Sequence, residues 1–307
     1  MLKKIAIATS SFGQFDVQPL KILEKNGFSF VLNKEGRTLK REELLTLAQG
    51  CLGVIAGTEP YNQETLEYLP DLRIISRCGS GTDNLDLQAC ERRGIKTFKT
   101  SDGPQRAVAE LVVGLILNVL RQLSLMDREL RRGIWQKRMG SLLLGKNVGI
   151  IGLGQVGTEV AFLLKAMGTN ICYFDPWTDG KTAAGFVRQA DLYELLKVSD
   201  IVSLHVPLTE KTKYLIGEKE LAAMPKQAIL INCSRGGIVD ETALYQALQE
   251  KKLAGAAVDV FEQEPYQGPL VELDNVLLTP HIGSYAKEAR IKMEVDAVNN
   301  LLSGLNG

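Results

Sequence analysis

The chain has 307 residues, with 36 basic and 36 acidic side chains, so its formal net charge is zero at neutral pH. This balance argues against nucleic acid or an anionic membrane as the main partner, because both bind proteins that carry a basic excess. Hydrophobic residues make up 45% of the chain, and the longest apolar run is about half as long as a membrane span requires. Both values are typical of a soluble, cytoplasmic protein.

The first hundred residues alternate short β-branched runs with amphipathic helical stretches. The predicted strands are IAIATS, FSFVLN, LGVIAG, LRIISR and IKTF, and two of the helices between them end in Gly27 and Gly50. Such alternation predicts a parallel sheet that is covered by helices on both faces. Residues 1–100, together with a last helical stretch in 282–307, are predicted to form one domain.

A long helical pattern follows over about residues 105–132, and its first half is apolar on more than one face. A helix of this kind is buried at a domain junction or against a second subunit. Strand–helix alternation then restarts, with NVGIIGLG, NICYFDP, DIVSLHVP, AILINCS, LAGAAVDV and NVLLTP as predicted strands. The predicted fold class is α/β, with two doubly wound parallel-sheet domains joined by long helices, and residues 101–281 form the second domain.

The strongest single motif is NVGIIGLGQVGTEV, a GxGxxG sequence between a predicted strand and a predicted helix. Gly152 permits a tight turn, Gly154 lets a pyrophosphate approach the backbone, and Gly157 lets the helix pack closely on the strand. The helix N-terminus supplies free N–H groups for the phosphates. The next strand ends in Asp175, where a ribose-binding acid is expected, and no arginine follows before Arg188. The motif therefore predicts NAD rather than NADP.

Polar residues follow three later strands: Arg235, then Glu262 and Glu264, then His281. Taken singly, each is more often a surface charge or a structural histidine, but ligands of parallel sheets bind beyond the carboxyl ends of the strands. A histidine can exchange the hydroxyl proton of a 2-hydroxy acid, a carboxylate can orient it, and a guanidinium can bind the acid. This set predicts hydride chemistry on a 2-hydroxy acid. The other histidine, His205, is predicted to be structural or a neighbour of the cofactor.

The order GLGQVG, Asp175, CSRGGIVD, DVFEQEP and PHIG resembles the D-isomer-specific 2-hydroxyacid dehydrogenase family. The resemblance extends to SRCGSGTDNLDLQACERRGI and AVAELVVGLIL, and so covers most of the chain. It implies a flavodoxin-like substrate domain, a Rossmann NAD-binding domain and a homodimer formed through the 105–132 helix. It also implies that the catalytic residues are Arg235, Glu264 and His281, because the family's glutamate directly precedes a proline.

The resemblance further implies which residues contact the ligands. The cofactor contacts are Gly152, Gly154, Gln155, Val156, Gly157, Asp175, Val206, Pro207, Cys233, Ser234, Arg235, Asp259, His281 and Gly283, with Asp259 on the carboxamide. The substrate contacts are Arg77, Gly79, Ser80, Gly81 and Arg235. The loop CGSGTDN can present successive backbone N–H groups to a carboxylate, although it also suits an ordinary strand-to-helix turn. No metal site is predicted, because the five cysteines are scattered and never spaced as CxxC.

Within the family, several segments are most similar to the short 3-phosphoglycerate dehydrogenases, which makes 3-phosphoglycerate the favoured substrate and serine biosynthesis the expected pathway. Phosphate recognition needs further cations, for which Arg37, Arg77, Lys137 and Arg138 are candidates. An alternative within the enzyme class is a reductase of glyoxylate, hydroxypyruvate or another 2-keto acid. An alternative outside it is an NADH-sensing dimer without activity. The loop TSDGPQRAVAE departs from the family pattern at Ser101, Asp102 and Pro104, which puts the substrate in question but not the chemistry.

Overall fold

The computed structural model describes residues 3–100, 103–178 and 185–306. Ser101 and Asp102, where the sequence departs from the family pattern, lie outside these residues, whereas Pro104 begins a helix. The chain divides into two compact units. The first unit consists of Met1–Pro104 and Ser284–Gly307, and the second unit consists of Gln105–Gly283.

Strands and helices alternate through both units. The strands are β1 (Lys3–Ile7), β2 (Phe28–Leu32), β3 (Gly53–Ala56), β4 (Ile74–Arg77), β5 (Lys96–Lys99), β6 (Asn147–Ile151), β7 (Asn170–Phe174), β8 (Val187–Arg188), β9 (Ile201–Leu204), β10 (Ile229–Asn232), β11 (Gly255–Val258) and β12 (Val276–Leu278). The helices are α1 (Gln18–Lys25), α2 (Arg41–Ala48), α3 (Gln63–Glu67), α4 (Leu87–Arg92), α5 (Pro104–Arg121), α6 (Leu123–Arg131), α7 (Gln155–Ala166), α8 (Leu192–Val198), α9 (Glu218–Ala223), α10 (Glu241–Gln249) and α11 (Lys287–Asn306).

The first unit contains a five-stranded parallel sheet with strand order β2-β1-β3-β4-β5. Successive residues of a strand face opposite sides, so Ile5 and Ile7 pack on one face while Ala6 packs on the other. Helix α11 covers the face of Ile5 and Ile7, with Ala297 and Leu301 fully buried there. The order of the strands is that of flavodoxin-like sheets, as the sequence predicts.

The second unit contains a seven-stranded parallel sheet with strand order β12-β11-β10-β9-β6-β7-β8. In β10, Ile229 and Ile231 pack with residues of α5 and α7, whereas Leu230 packs into the core on the opposite face. The strand order reverses between β6 and β9, which is the arrangement of a Rossmann sheet with one additional strand. The prediction of two doubly wound parallel-sheet domains is thereby confirmed.

The predicted helix over 105–132 is wrong in one respect, because it is interrupted at Gln122. Gln122 has a left-handed backbone with φ of 52°, and α5 and α6 meet there at a bend of 63°. The side chain of Asn118 stabilises the break, since it accepts a hydrogen bond from the backbone N–H of Ser124 at 3.1 Å and donates one to the Ser124 hydroxyl at 2.8 Å. Among the described residues, no single helix is long and apolar enough to cross a membrane. Helices α5 and α6 reach the length and apolar composition of a membrane span only when they are taken together as a bent pair.

Candidate active site

Close backbone packing explains two of the three glycines in the turn between β6 and α7. Gly152 has φ of 91°, and a Cβ there would lie 2.8 Å from the carbonyl oxygen of His205. A Cβ at Gly157 would lie 2.1 Å from the carbonyl oxygen of Gly152. A Cβ at Gly154 would meet nothing within 4 Å, so this glycine faces open space at the start of α7. The turn therefore leaves room for a pyrophosphate beside the free N–H groups of the helix.

Asp175 follows β7 and is held against the glycine turn. Its Oδ2 accepts a hydrogen bond from the backbone N–H of Leu153 at 2.7 Å. Its Oδ1 accepts from the backbone N–H groups of Trp177 at 2.8 Å and Thr178 at 3.2 Å. A carboxylate offers about four acceptor positions, so it can still accept a hydroxyl. The acid and the phosphate cradle thus form one site, and both fit the adenosine half of NAD.

Most of the remaining residues predicted to contact the cofactor directly follow strands of the second unit at the same edge of the sheet. Val206 and Pro207 follow β9, Cys233 and Ser234 follow β10, and Asp259 follows β11. These strands are parallel neighbours in the sheet, so the residues after them lie along the same edge as the glycine turn and Asp175. Gln155 and Val156 form the first turn of α7, and Gly283 follows β12.

His205 supports the glycine turn and cannot serve as a proton carrier near neutral pH. Its backbone N–H donates a hydrogen bond to the carbonyl oxygen of Ile151 at 2.8 Å, and its ring Nε2 lies 2.9 Å from the hydroxyl of Ser203. Desolvation of the ring lowers the pKa of His205 to about 3, although the residue as a whole is only partly buried. Its imidazole is therefore neutral under physiological conditions.

Arg235, Glu264 and His281 follow β10, β11 and β12, which are neighbouring strands of the sheet. His281 Nδ1 lies 2.8 Å from Glu264 Oε2, and Glu264 Oε1 accepts from the backbone N–H of Phe261 at 3.1 Å. Burial raises the pKa of Glu264, but the hydrogen bond and charge of His281, with the charge of Arg235, outweigh it and leave the pKa below its usual value.

An ionised Glu264 determines the tautomer of His281. A carboxylate only accepts hydrogen bonds, so the imidazole nitrogen facing it, Nδ1, must carry the hydrogen. The other nitrogen, Nε2, then keeps a lone pair in the neutral ring and can take a proton. The pair is therefore arranged as a carboxylate-oriented general base.

The turn that carries His281 is fixed by Asp259, a role that the sequence alone did not indicate. His281 has φ of 53°, a left-handed conformation that few residues other than glycine adopt. The fully buried carboxylate of Asp259 accepts from the backbone N–H groups of Ile282 at 2.8 Å and Gly283 at 2.9 Å, and from the hydroxyl of Thr279 at 2.5 Å. Asp259 thereby positions the imidazole.

The loop of Arg235 packs directly on the loop of Glu264. A Cβ at Gly236 would lie 1.9 Å from the carbonyl oxygen of Phe261 and 2.6 Å from the backbone nitrogen of Glu262. The side chain of Asn232 also donates to the carbonyl oxygen of Arg235 at 3.1 Å. Only a glycine at 236 lets the two loops approach so closely, and this approach holds the guanidinium near the carboxylate.

We expect Gly236→Ala to lower kcat by about 100-fold, because a displacement of about 1 Å at a reacting group has an effect of this size. The free energy of unfolding should also fall, by about 1–3 kcal/mol, from the forced separation of the two loops. Steady-state kinetics and denaturant unfolding measure the two effects.

Gly217→Ala is the matched control, since a Cβ there would meet its nearest atom at an ordinary 3.4 Å. It should leave kcat unchanged, and its free energy of unfolding should fall by less than about 1 kcal/mol, because Gly217 is the N-cap residue of α9. Wild-type kinetics in Gly236→Ala would show that the contact between the loops does not position Arg235.

The predicted substrate loop lies in the first unit, directly after β4. Arg77 is buried beneath it and donates through Nη1 to the carbonyl oxygen of Cys78. A Cβ at Gly79 would lie 2.5 Å from Arg77 Nη1, so the glycine makes room for the guanidinium. Ser80 is exposed and Gly81 is partly exposed. Arg77 thus supports the loop from below, while Ser80 and Gly81 remain accessible to a ligand.

Two of the predicted phosphate-binding cations are already paired with carboxylates. Arg37 donates to both oxygens of Glu43, at 2.8 and 2.7 Å. Arg138 donates to both oxygens of Glu129, at 2.9 and 2.5 Å. Each bidentate pair occupies the guanidinium edge that would otherwise bind a phosphate.

Known proteins resemble this chain in both sequence and structure. The family model for "D-isomer specific 2-hydroxyacid dehydrogenase, NAD binding domain" matches residues 113–283. A D-3-phosphoglycerate dehydrogenase of Methanocaldococcus jannaschii is 41% identical over 278 residues, which are 88% of this chain and 52% of that protein. A glyoxylate reductase of Thermofilum pendens is 42% identical over 261 residues, 81% of this chain and 77% of that protein. The crystal structure of the TT0316 protein from Thermus thermophilus has a TM-score of 0.91 and 33% identity, over 99% of this chain and 97% of that chain.

The chain spans about half the length of the phosphoglycerate dehydrogenases that it matches. The family model nevertheless covers the glycine turn, Asp175 and the three strand ends that carry Arg235, Glu264 and His281. The sequence-based predictions of the family and of the cofactor are therefore confirmed. The chain belongs to the D-isomer specific 2-hydroxyacid dehydrogenase family, and its cofactor is NAD(H).

Proposed function

We propose that the chain is an NAD-dependent dehydrogenase of a small D-2-hydroxy acid, with His281, Glu264 and Arg235 as its catalytic residues. The observation that carries the proposal is the 2.8 Å hydrogen bond between His281 Nδ1 and Glu264 Oε2, with the charge of Arg235 acting on the same carboxylate. A non-catalytic NADH sensor would have no use for a general base oriented in this way.

The three side chains account for the proton and charge changes of the reaction. In oxidation, His281 Nε2 takes the proton of the substrate hydroxyl, and Glu264 stabilises the imidazolium that results. In reduction, the imidazolium returns the proton to the carbonyl oxygen. Arg235 binds the substrate carboxylate through two parallel hydrogen bonds and polarises the adjacent carbonyl. The nicotinamide, when bound, supplies or accepts the hydride.

We propose 3-phosphoglycerate as the first candidate substrate, because a relative at 41% identity carries the name D-3-phosphoglycerate dehydrogenase. An unphosphorylated 2-keto acid such as glyoxylate or hydroxypyruvate is the second candidate. The pairing of Arg37 with Glu43 and of Arg138 with Glu129 favours the second candidate, because it leaves fewer cations for a phosphate.

A substrate panel tests the two candidates directly. We expect the protein to oxidise NADH with at least one of phosphohydroxypyruvate, hydroxypyruvate and glyoxylate. The reaction is measured as the decrease in absorbance of the reduced nicotinamide. A larger kcat/KM for the phosphorylated acid supports the first candidate, and a larger value for either unphosphorylated acid supports the second. No turnover across the panel, together with tight NADH binding, would instead indicate an NADH-sensing protein.

We also propose that the chain forms a homodimer through α6 and the segment that follows it. This region exposes a run of large apolar side chains, of which Trp135 is 81% and Met139 93% accessible. The others are Leu123, Leu130, Ile134, Leu142 and Leu144. A patch of this kind marks an interaction surface, and a second copy of the same chain can cover it in a symmetric dimer.

We expect Met139→Asp to shift the protein from dimer to monomer, because a buried unpaired carboxylate is costly at an apolar interface. Light scattering coupled to size-exclusion chromatography measures the mass. Leu87→Asp is the matched control, since Leu87 is 47% exposed at the first position of α4 in the first unit, where an aspartate is tolerated, and the variant should remain dimeric. A monomeric wild-type protein would exclude the proposed dimer.

A further inference from the structure

Strand pairing brings Arg188 next to Asp175, although 13 residues separate them in the sequence. The two-residue strand β8 pairs in parallel with β7, in a register that sets Arg188 opposite Tyr173. From there, Arg188 Nη2 donates a hydrogen bond to the backbone carbonyl oxygen of Asp175 at 3.2 Å. A cation therefore lies beside the acid that the sequence assigns to the cofactor ribose.

The charge of Arg188 is not neutralised by an ion pair within the described residues. The side chain is exposed, and its hydrogen bond goes to a neutral carbonyl group rather than to the carboxylate. Two other exposed arginines of the second unit differ in this respect. Arg106 pairs with Glu110 and Glu159, and Arg131 pairs with Asp127.

Asp175 is less repulsive toward an anion than an isolated carboxylate, because three backbone N–H groups donate to it. Its Oδ2 is turned toward Leu153 of the glycine turn, and its Oδ1 toward Trp177 and Thr178. A phosphate on the 2′-hydroxyl of a ribose bound at Asp175 would therefore meet the negative charge of that carboxylate, while the positive charge of Arg188 is held at the backbone carbonyl group of the same residue. Arginine is the side chain that accommodates a 2′-phosphate in dinucleotide-binding sheets.

We propose that Arg188 is a second cofactor-selecting residue, and that it lets the chain bind NADP(H) in addition to NAD(H). Asp175 favours the free ribose hydroxyls of NAD(H), while Arg188 retains affinity for the 2′-phosphate. The proposal rests on the ribose being bound at Asp175, but it requires nothing of the acid substrate or of His281.

Direct titration of NADH and NADPH against the purified protein, by calorimetry and without any acid substrate, tests this proposal. We expect measurable NADPH binding by the wild type, and a ratio of NADPH to NADH dissociation constants that rises roughly tenfold in Arg188→Ala, as for the loss of one charge-assisted hydrogen bond. Arg188→Lys, which keeps the charge, should retain part of the NADPH affinity. Because binding is measured alone, a failure here is distinct from a failure of the proposed reaction.

Lys226→Ala is the control for a general loss of positive charge. Lys226 is exposed and precedes β10, so it lies at the amino end of the strands, whereas Asp175 lies at the carboxyl end. The ratio of dissociation constants should be the same in Lys226→Ala as in the wild type. An unchanged ratio in Arg188→Ala, or an equal change in Lys226→Ala, would overturn the proposal.

Removal of the Asp175 charge provides a second measurement. Asp175→Asn should strengthen NADPH binding relative to NADH, and the gain should be smaller in the double variant Asp175→Asn with Arg188→Ala. An equal gain with and without Arg188 would show that the arginine does not contact the phosphate. Should Asp175→Asn fail to fold, the comparison of Arg188→Ala, Arg188→Lys and the wild type decides alone.

Discussion

His281→Asn should lower kcat by about 10²- to 10⁴-fold, the usual contribution of a positioned general acid or base, while NADH binding stays intact. The second histidine cannot take over, because its pKa of about 3 keeps His205 neutral in the working range of the enzyme. Asparagine is the suitable replacement, since it tolerates the left-handed backbone of φ 53° at this position and removes only the imidazole.

Steady-state kinetics with the best acid of the panel give kcat, and a fluorescence titration gives the dissociation constant of NADH. Both are needed, because a misfolded variant would lose both together. A variant that binds NADH normally and turns over at the wild-type rate would remove His281 from the mechanism and would leave Arg235 and Glu264 without a proton acceptor to serve.

The convergence of the three proposed catalytic residues could be predicted because it depends on one rule of parallel sheets. Arg235, Glu264 and His281 each follow a strand, and β10, β11 and β12 are neighbours in the sheet. The GxGxxG turn was predictable for the same reason, since its glycines and the acid after the next strand keep a fixed order along the chain. The proposed catalytic residues and the glycine turn could both be located because each lies at the carboxyl end of a strand in this parallel sheet.

Features that depend on contacts between distant segments could not be predicted. The buried carboxylate of Asp259 holds the turn of His281 through two backbone N–H groups, which no sequence pattern reveals. Gly236 lies in an ordinary-looking Gly-Gly pair, and only the structure shows Phe261 against it. The strand β8 has only two residues, too few to show an alternating pattern of apolar side chains. The approach of Arg188 to Asp175 could therefore not be predicted from the sequence. The break at Gln122 is hidden because the apolar pattern continues through it.

Glu264→Gln should lower kcat by about 10²- to 10⁴-fold, because the amide cannot satisfy both groups that the carboxylate serves. Glu264 accepts from the backbone N–H of Phe261 through one oxygen and from His281 through the other. If the amide nitrogen faces His281, the imidazole must move its hydrogen to Nε2 and is no longer a base toward the substrate. If it faces Phe261, two donors oppose each other and the loop shifts.

Glu262→Gln is the matched control for this variant. Glu262 lies in the same loop, but its side chain accepts a hydrogen bond from the hydroxyl of Tyr214 at 2.9 Å and has no bond to His281. We expect kcat of Glu262→Gln to stay near that of the wild type. A similar loss in both variants would mean that the loop tolerates no amide, and the loss in Glu264→Gln would then say nothing about the tautomer of His281.

Acid unfolding gives an independent test of the same pair. The folded-state pKa of Glu264 lies below its usual value, because the hydrogen bond and charge of His281 outweigh the effect of burial. A carboxyl group with a depressed pKa stabilises the fold above its unfolded pKa, about 4.3, and that stability is lost as the pH falls through the folded value. The free energy of unfolding of the wild type should therefore fall more steeply below about pH 4.3 than that of Glu264→Gln, which has no carboxyl group to protonate. If the free energies of unfolding of the two proteins changed in parallel with pH, His281 and Glu264 would not be coupled in solution. The general base would then lack the orientation that its chemistry requires.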